Sequence, residues 1–323
     1  MNRWLLAGIV SVMAGAVESV AIGAQAPATT QAGPPQVGAP APGRGQAPPP
    51  PVVVIGPPAP VPPEVAIPRP TPDELTKVND AIKKFVASDK SSTAPLLKKF
   101  EPLMLLQRPR LNVAATYTQT VQRMGPRHEG FVDRAKQGGI DLLLDGDSIT
   151  DFWGQNDANK AVFDKYFGTY RTANFAISGD TTQGLLWGLK NGEGQGYQPK
   201  AVMLMIGTNN SGSATSFEIA EGVGAVVLEL RKNFPNAKIL LLAILPRAVP
   251  GDPIRDKLRD ANEIIARLDD QKNVFYLDIG AKFLDEKGVF LPGTFRPDNL
   301  HPIAGGYEIW GAAVKDKIAQ LMK

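Results

Sequence analysis

The stretch LLLDGDSITD, residues 142–151, runs apolar for three residues, closes on two acids around a glycine, and sets Ser148 directly behind them. An apolar run of strand length that breaks at a glycine and resumes as a helix-like stretch marks a strand-to-helix junction. Its hydrophobicity does not alternate, so the strand is expected to be buried on both faces. Further apolar runs lie at 172–177, 201–206, 238–245 and 273–278, the first spanning 140–145. Helix-like stretches at 148–154, 181–190, 216–234, 255–270 and 303–321 alternate with them. Strand and helix in alternation predict one three-layer α/β/α domain on a parallel five-stranded sheet, residues 125–323.

Upstream the chain changes character. In TPDELTKVNDAIKKFV (71–86), Thr71 can cap a helix, Pro72 suits its first turn, and Glu74 sits three residues after the cap. Leu75, Val78, Ile82, Phe85 and Val86 follow at helical spacing. With further helices expected at 92–106 and 125–139, residues 73–124 form a helical extension. Residues 27–72 hold 17 of the 29 prolines and three charged side chains, Arg44, Glu64 and Arg69, which predicts a disordered, partly polyproline tether. Residues 1–26 have the form of an export signal: Arg3, the apolar WLLAGIVSVMAGAV (4–17), then the small residues AIGAQA (21–26), offering cleavage after Gly23, Ala24 or Ala26. Glu18 cuts the apolar run short of a membrane span. A secreted or periplasmic protein, with no stable membrane insertion after cleavage, is the expectation.

The whole-chain balance, 43% hydrophobic, 21% charged and +3 net over 323 residues, is that of a globular protein. No basic block interleaved with aromatics supports nucleic-acid binding. The absence of cysteine excludes disulfides, thiolate catalysis and Cys-based metal sites.

Ligands of such sheets sit beyond the carboxyl ends of the strands, and those ends share a chemistry. The first delivers DGDS, the second GDTT (179–182), the third GTNN (207–210), the fourth PRAVPGDP (246–253). The connection after the fifth ends in PDNLHP (297–302). Of the two histidines, His301 lies on this edge with Asp298 three residues before it. A hydrolytic serine needs a base, and the base needs a carboxylate; DNLH supplies both. His128 lies in a helix upstream of the first strand and is read as structural or exposed. Attack on an ester creates an oxyanion, for which the Ser148 N–H, the Gly179 N–H and the Asn209 amide are the candidate donors.

Together GDSIT, NFAISGDTT, GTNN and DNLHP resemble the four sequence blocks of the SGNH, or GDSL-like, hydrolases. More narrowly they are similar to the branch related to the catalytic subunits of intracellular platelet-activating factor acetylhydrolase. The resemblance covers residues 125–321. It implies a flavodoxin-like fold, metal-free and cofactor-free serine ester hydrolysis, a Ser148–His301–Asp298 triad, an oxyanion hole from Ser148, Gly179 and Asn209, and Asp147 as a structural acid. Ile149 stands where the family name has leucine.

Two rivals remain. DGDS also looks like the D-x-D motif of haloacid-dehalogenase-type phosphatases, with Asp145 as nucleophile, Asp147 as general acid and magnesium required. That motif's later acids would be Asp269 and Asp270, and it leaves DNLHP unused. The third class is a non-catalytic carbohydrate-binding relative, which would be expected to lose Ser148 or His301. The favoured reading is an esterase for short acyl groups, acetyl first, acting on a small ester or an acetylated glycan. Trp153, Trp187 and Phe295 could stack a sugar, with core packing the ordinary role for each.

Overall fold

A computed structural model of the protein describes residues 51–323; the export signal and residues 27–50 of the tether lie outside them. Five strands, β1 (Leu142–Gly146), β2 (Thr172–Asn174), β3 (Ala201–Met205), β4 (Lys238–Leu242) and β5 (Val274–Leu277), form a parallel sheet in the order β2-β1-β3-β4-β5. Nine α-helices accompany them among the described residues. α1 (Pro72–Ser88), α2 (Ala94–Met104) and α3 (Pro126–Lys136) precede the sheet; α4 (Ser148–Asp151) and α5 (Asp157–Phe167) follow β1; α6 (Thr182–Gly188) follows β2. α7 (Ser216–Asn233), α8 (Pro253–Ile265) and α9 (Ala304–Leu321) follow β3, β4 and β5.

The unbroken apolar runs serve two layers at once. Leu143, Val202, Leu204, Ile239 and Leu241 pack beneath α6, α7 and α8. Their neighbours Leu142, Leu144, Met203, Leu240 and Leu242 pack against α5 and α9, around Trp153 and Trp310. Side chains alternate faces along a strand, so both parities must be apolar. Burying each such side chain is worth roughly 1.5–3 kcal/mol.

Three local departures from the sequence expectations are physical. The stretch expected as one helix over 148–154 is the single turn α4 followed by a tighter turn, Phe152–Gly154. β2 is three residues long, although its pairing continues through Phe175 N–H to Leu144 O (2.9 Å) and Ile177 N–H to Gly146 O (3.3 Å). α5 was not expected at all.

The proline-rich stretch departs from the tether expectation from Gly56 onward. Gly56 N–H donates to Thr118 Oγ1 (2.9 Å), Tyr117 N–H to Pro57 O (2.9 Å) and Ala59 N–H to Ala115 O (2.8 Å). Prolines tolerate this edge position because they lack only a donor, not an acceptor. Val65 and Pro62 lie against Gly224 of α7, where any Cβ would collide with them. Arg69 then pairs with Glu221, whose carboxylate is fully buried (2.6 Å). The expected boundary at residue 125 also moves: Ala114, Ala115, Thr116 and Arg123 are buried in the body of the domain. Arg123's partners come from distant elements, so no local pattern announces its burial.

α1 and α2 form a hairpin outside the sheet layers. Thr71 and Glu74 make the expected capping box. Asn79 closes the base, its amide donating to Leu106 O (2.9 Å) and its oxygen accepting from Leu106 N–H (2.8 Å).

Candidate active site

In the order 2-1-3-4-5 the winding reverses between β1 and β3, which opens a crevice there. Ser148 is the first residue of α4, directly after β1. Asp147 caps that turn by accepting from Ile149 N–H (3.0 Å). Gly146 lets β1 pass close to β3, since a Cβ there would collide with the Met205 carbonyl. From the far end of the chain, Ser148 Oγ meets His301 Nε2 at 2.9 Å, and His301 Nδ1 meets Asp298 Oδ2 at 2.7 Å. With Nδ1–H donating to the carboxylate, Nε2 is free to accept the serine proton. Asp298 Oδ1 accepts from Leu300 N–H (2.9 Å) and His301 N–H (3.0 Å), which fixes the turn carrying the base. Partial burial pushes the Asp298 carboxyl up, but the bonds from the imidazole and from these two amides outweigh it and hold it below its usual range.

The second and third strand ends meet beside this chain. Gly179 adopts φ 79°, a left-handed conformation that favours glycine. Asn209 Nδ2 donates to Asp180 O at 2.8 Å, which joins the GDTT and GTNN turns. Asn210, the neighbouring candidate by type, is occupied structurally: it accepts from Thr182 N–H and donates to Gln183. Among the described residues no protein acceptor takes the Ser148 or Gly179 N–H.

Beneath the site lies a buried charge cluster. Arg123 bonds Asp180 (2.8 Å), lies 3.8 Å from Asp145 and pairs closely with Glu193, which also holds His128 Nδ1 (2.7 Å). Burial lowers the guanidinium, but Asp180, Glu193 and Asp145 raise it further, so it stays charged. One cation cannot satisfy three acids. Burial drives Asp145 well above the carboxylate range despite the pull of Arg123, and Asp180 is raised for the same reason. His128 is therefore structural: it meets Glu193 on one side and the Trp187 ring at 4.7 Å on the other.

This answers which group in DGDS is available to react. Asp145 is completely buried 3.8 Å from Arg123 and Asp147 spends its carboxylate on the Ile149 N–H, whereas Ser148 Oγ faces His301. Asp270 accepts amides at the opposite edge, where the chain enters β5, and Asp269 accepts from Gln271 and Tyr276 nearby. The phosphatase arrangement has no support. Trp153 is fully buried and Phe295 stacks on Phe290 (4.0 Å), so both serve packing.

Several contributors were not singled out from the sequence. Phe152 packs on the His301 ring (5.0 Å), and Arg296 lies over Phe152 (4.8 Å) while its N–H holds His301 O (2.9 Å). Tyr307 donates from α9 to Ile149 O (2.8 Å) and ties the nucleophile's turn to the helix after the base. Arg247 reaches Thr208 O (3.2 Å) from the loop after β4. A lone aromatic or arginine in a loop carries no local signature; the GDS and NLH neighbourhoods alone pointed there. On the outer side of Phe152 opens a cleft of about 620 Å³ lined by Arg127, Asp151, Gln155, Lys160, Phe163 and Asn174, of a size for a small ligand.

Comparison with known proteins identifies the family. The family model for the GDSL-like lipase/acylhydrolase family matches residues 146–309. Platelet-activating factor acetylhydrolase IB subunit alpha2 of Gallus gallus is 33% identical over 211 residues, 65% of this chain and 90% of that protein. Among solved structures, a GDSL-like lipase from Bacteroides thetaiotaomicron aligns with TM-score 0.45 at 20% identity, over 58% of this chain and 90% of the other. A carbohydrate acetylesterase from Sinorhizobium meliloti aligns with TM-score 0.42 at 21% identity, over 56% and 99%. The chain belongs to the GDSL-like lipase/acylhydrolase family of carboxylic ester hydrolases.

Proposed function

We propose that this protein is an exported serine esterase that removes short acyl groups, acetyl above all, from oxygen esters by an acyl-enzyme mechanism. The observation that carries the reading is the unbroken relay Asp298–His301–Ser148, at 2.7 and 2.9 Å. His301 takes the proton of Ser148 as its oxygen attacks the ester carbonyl. The tetrahedral oxyanion is met by the N–H groups of Ser148 and Gly179 and by the amide of Asn209. The imidazolium, stabilised by Asp298, returns the proton to the departing alcohol. Water, deprotonated by His301, then attacks the acyl-serine and regenerates the hydroxyl.

The acetyl preference rests on the acetylhydrolase names of the curated relatives. The acceptor is assigned to the carbohydrate class because the cleft beside Phe152 alternates hydrogen-bonding side chains (Asp151, Gln155, Asn174) with aromatic rings. Export rests on residues 1–26 as a sequence. The test is a chain-length series of activated esters with wild type and Ser148→Ala, alongside labelling by a fluorophosphonate. Acetyl esters should turn over fastest, and Ser148→Ala should lose both turnover and label while keeping its fold. Turnover by that variant at the wild-type rate would remove the serine mechanism. Activity should survive EDTA in full, because no step above passes through a metal.

A further inference from the structure

The outer half of the α1–α2 hairpin, residues 83–100, reads KKFVASDKSSTAPLLKKF. Carried on to Leu103, it holds five lysines (Lys83, Lys84, Lys90, Lys98, Lys99) and two acids, Asp89 and Glu101, a local charge of +3. Asp89 is engaged inside the turn, accepting from Ser91 N–H (3.1 Å) and Ser91 Oγ (2.8 Å). Large apolar side chains stand in water among these lysines: Phe85 is 62% exposed, Leu96 56%, Phe100 44%, and Leu103 just beyond is 82% exposed. Leu96, Phe100 and Leu103 recur at i, i+4 and i+7, so they share one face of α2. The hairpin has its own inner contacts, with Val86 buried and Asn79 closing the base, so the exposed set is surplus to its folding.

Charge decides what this surface meets. A second copy placed tip to tip about a two-fold axis would set +3 against +3. A soluble polyanion would engage the lysines and leave Phe85 and Leu103 in water. A lipid surface with anionic headgroups over an apolar layer satisfies both sets, as it does for amphipathic helices that lie in the membrane interface. No helix among the described residues is long and apolar enough to cross a membrane, so the attachment is peripheral. We infer that the tip of the α1–α2 hairpin docks this protein onto an anionic lipid surface.

The roots of the hairpin lie near the site. The chain enters it through Arg69, paired with Glu221, and leaves it through Arg110, paired with Glu218 (3.0 Å). Both carboxylates lie in the first turns of α7, which begins at the catalytic lip just past Asn209 and Asn210. The hairpin is therefore rooted beside the lip, with its tip about 25 Å away along the 17 residues of α1.

The inference stands apart from the acyl-enzyme reading and is tested separately, with the full chain. Co-sedimentation with vesicles of phosphatidylcholine alone should leave the protein in solution, and vesicles of equal parts phosphatidylcholine and phosphatidylglycerol should pellet it. Salt should weaken the binding, and Lys98→Gln with Lys99→Gln should weaken it about 5-fold per lysine. Phe100→Ser with Leu103→Ser should weaken it too. All variants should hydrolyse a water-soluble acetyl ester at the wild-type rate, because the hairpin contributes nothing to the relay. Wild-type protein that ignores anionic vesicles, or that binds both kinds equally, overturns the inference. So does a dimer in sedimentation velocity that Phe100→Ser with Leu103→Ser dissociates, which would make a second copy the occupant.

Discussion

Asn209 holds its place through Asp180, and Asp180 holds its own through Arg123. One amide proton of Asn209 is spent on the Asp180 carbonyl (2.8 Å), and the other is the donor proposed above for the oxyanion. Asn209→Ala should lower kcat about 10²–10³-fold, the usual worth of one such donor, with KM little changed. A fall of only two-fold in single-turnover acylation would take Asn209 out of the hole. Asp147 gives the second test at this scale. Burial raises its carboxyl from 3.8 to about 7, against the pull of the Ile149 N–H. An acid raised in the fold binds its proton more tightly there than in the unfolded chain. Its contribution to stability is therefore full below pH about 4 and drains away as pH climbs to about 7. The span corresponds to roughly 4 kcal/mol. Asp147→Asn keeps an oxygen for the Ile149 N–H and has no proton to lose. Measured by urea unfolding, its stability relative to wild type should rise across that window, and a flat difference would mean the carboxyl is ionised throughout. The meeting of Ser148, His301 and Asp298 was legible in sequence because each sits in a short motif at one edge of the expected sheet. Arg123, Arg296 and Phe152 were not, because each acts through partners brought close by the fold.

Elements were legible where one physical demand shaped every residue in them. β3 and β4 stood out most because burial on both faces favours apolar side chains at either parity, whereas β2 is half-buried and carries Thr172 and Asn174. α5 was not expected because its large apolar positions, Val162, Phe163, Tyr166 and Phe167, are confined to the last six residues of DANKAVFDKYF. The strap was misread for a related reason: proline content describes what a segment cannot do for itself, and Gly56–Arg69 takes its order from α7 and from residues 115–118. That predicts an asymmetry under truncation. Removing residues 1–55, of which 51–55 are exposed, gives the reference melting temperature. Removing residues 1–69 uncovers the groove at Gly224 and strips Glu221 of Arg69 and the Ile67 N–H (2.7 Å). A carboxylate left half-satisfied in a buried site costs about 1–3 kcal/mol, so the melting temperature should fall. Equal melting of the two truncations would show that the strap contributes nothing.

Over the whole molecule, the parts divide by how much each buries. The crevice draws on residues from 145 to 301, carried on the turns that leave the carboxyl ends of the strands and on the turn before α9. The relay can form only when the entire body has formed. The hairpin is different: α1 contributes Val86 alone to the buried set, and α2 contributes nothing. Elements with so little buried surface open locally at small free energies, whereas core strands open only with global unfolding. Amide hydrogen exchange should therefore find α1 and α2 exchanging orders of magnitude faster than β1 and β3. Denaturant should open the hairpin before activity on a soluble ester is lost, and activity should vanish together with the fluorescence change of Trp153 and Trp310, buried in the sheet's second layer. Anionic vesicles should slow exchange in the hairpin and leave the strands untouched, because only the hairpin gains a partner. Protection in α2 equal to that of β3 in the absence of lipid would mean the hairpin is already covered by the protein itself, and its exposed stripe would need no partner.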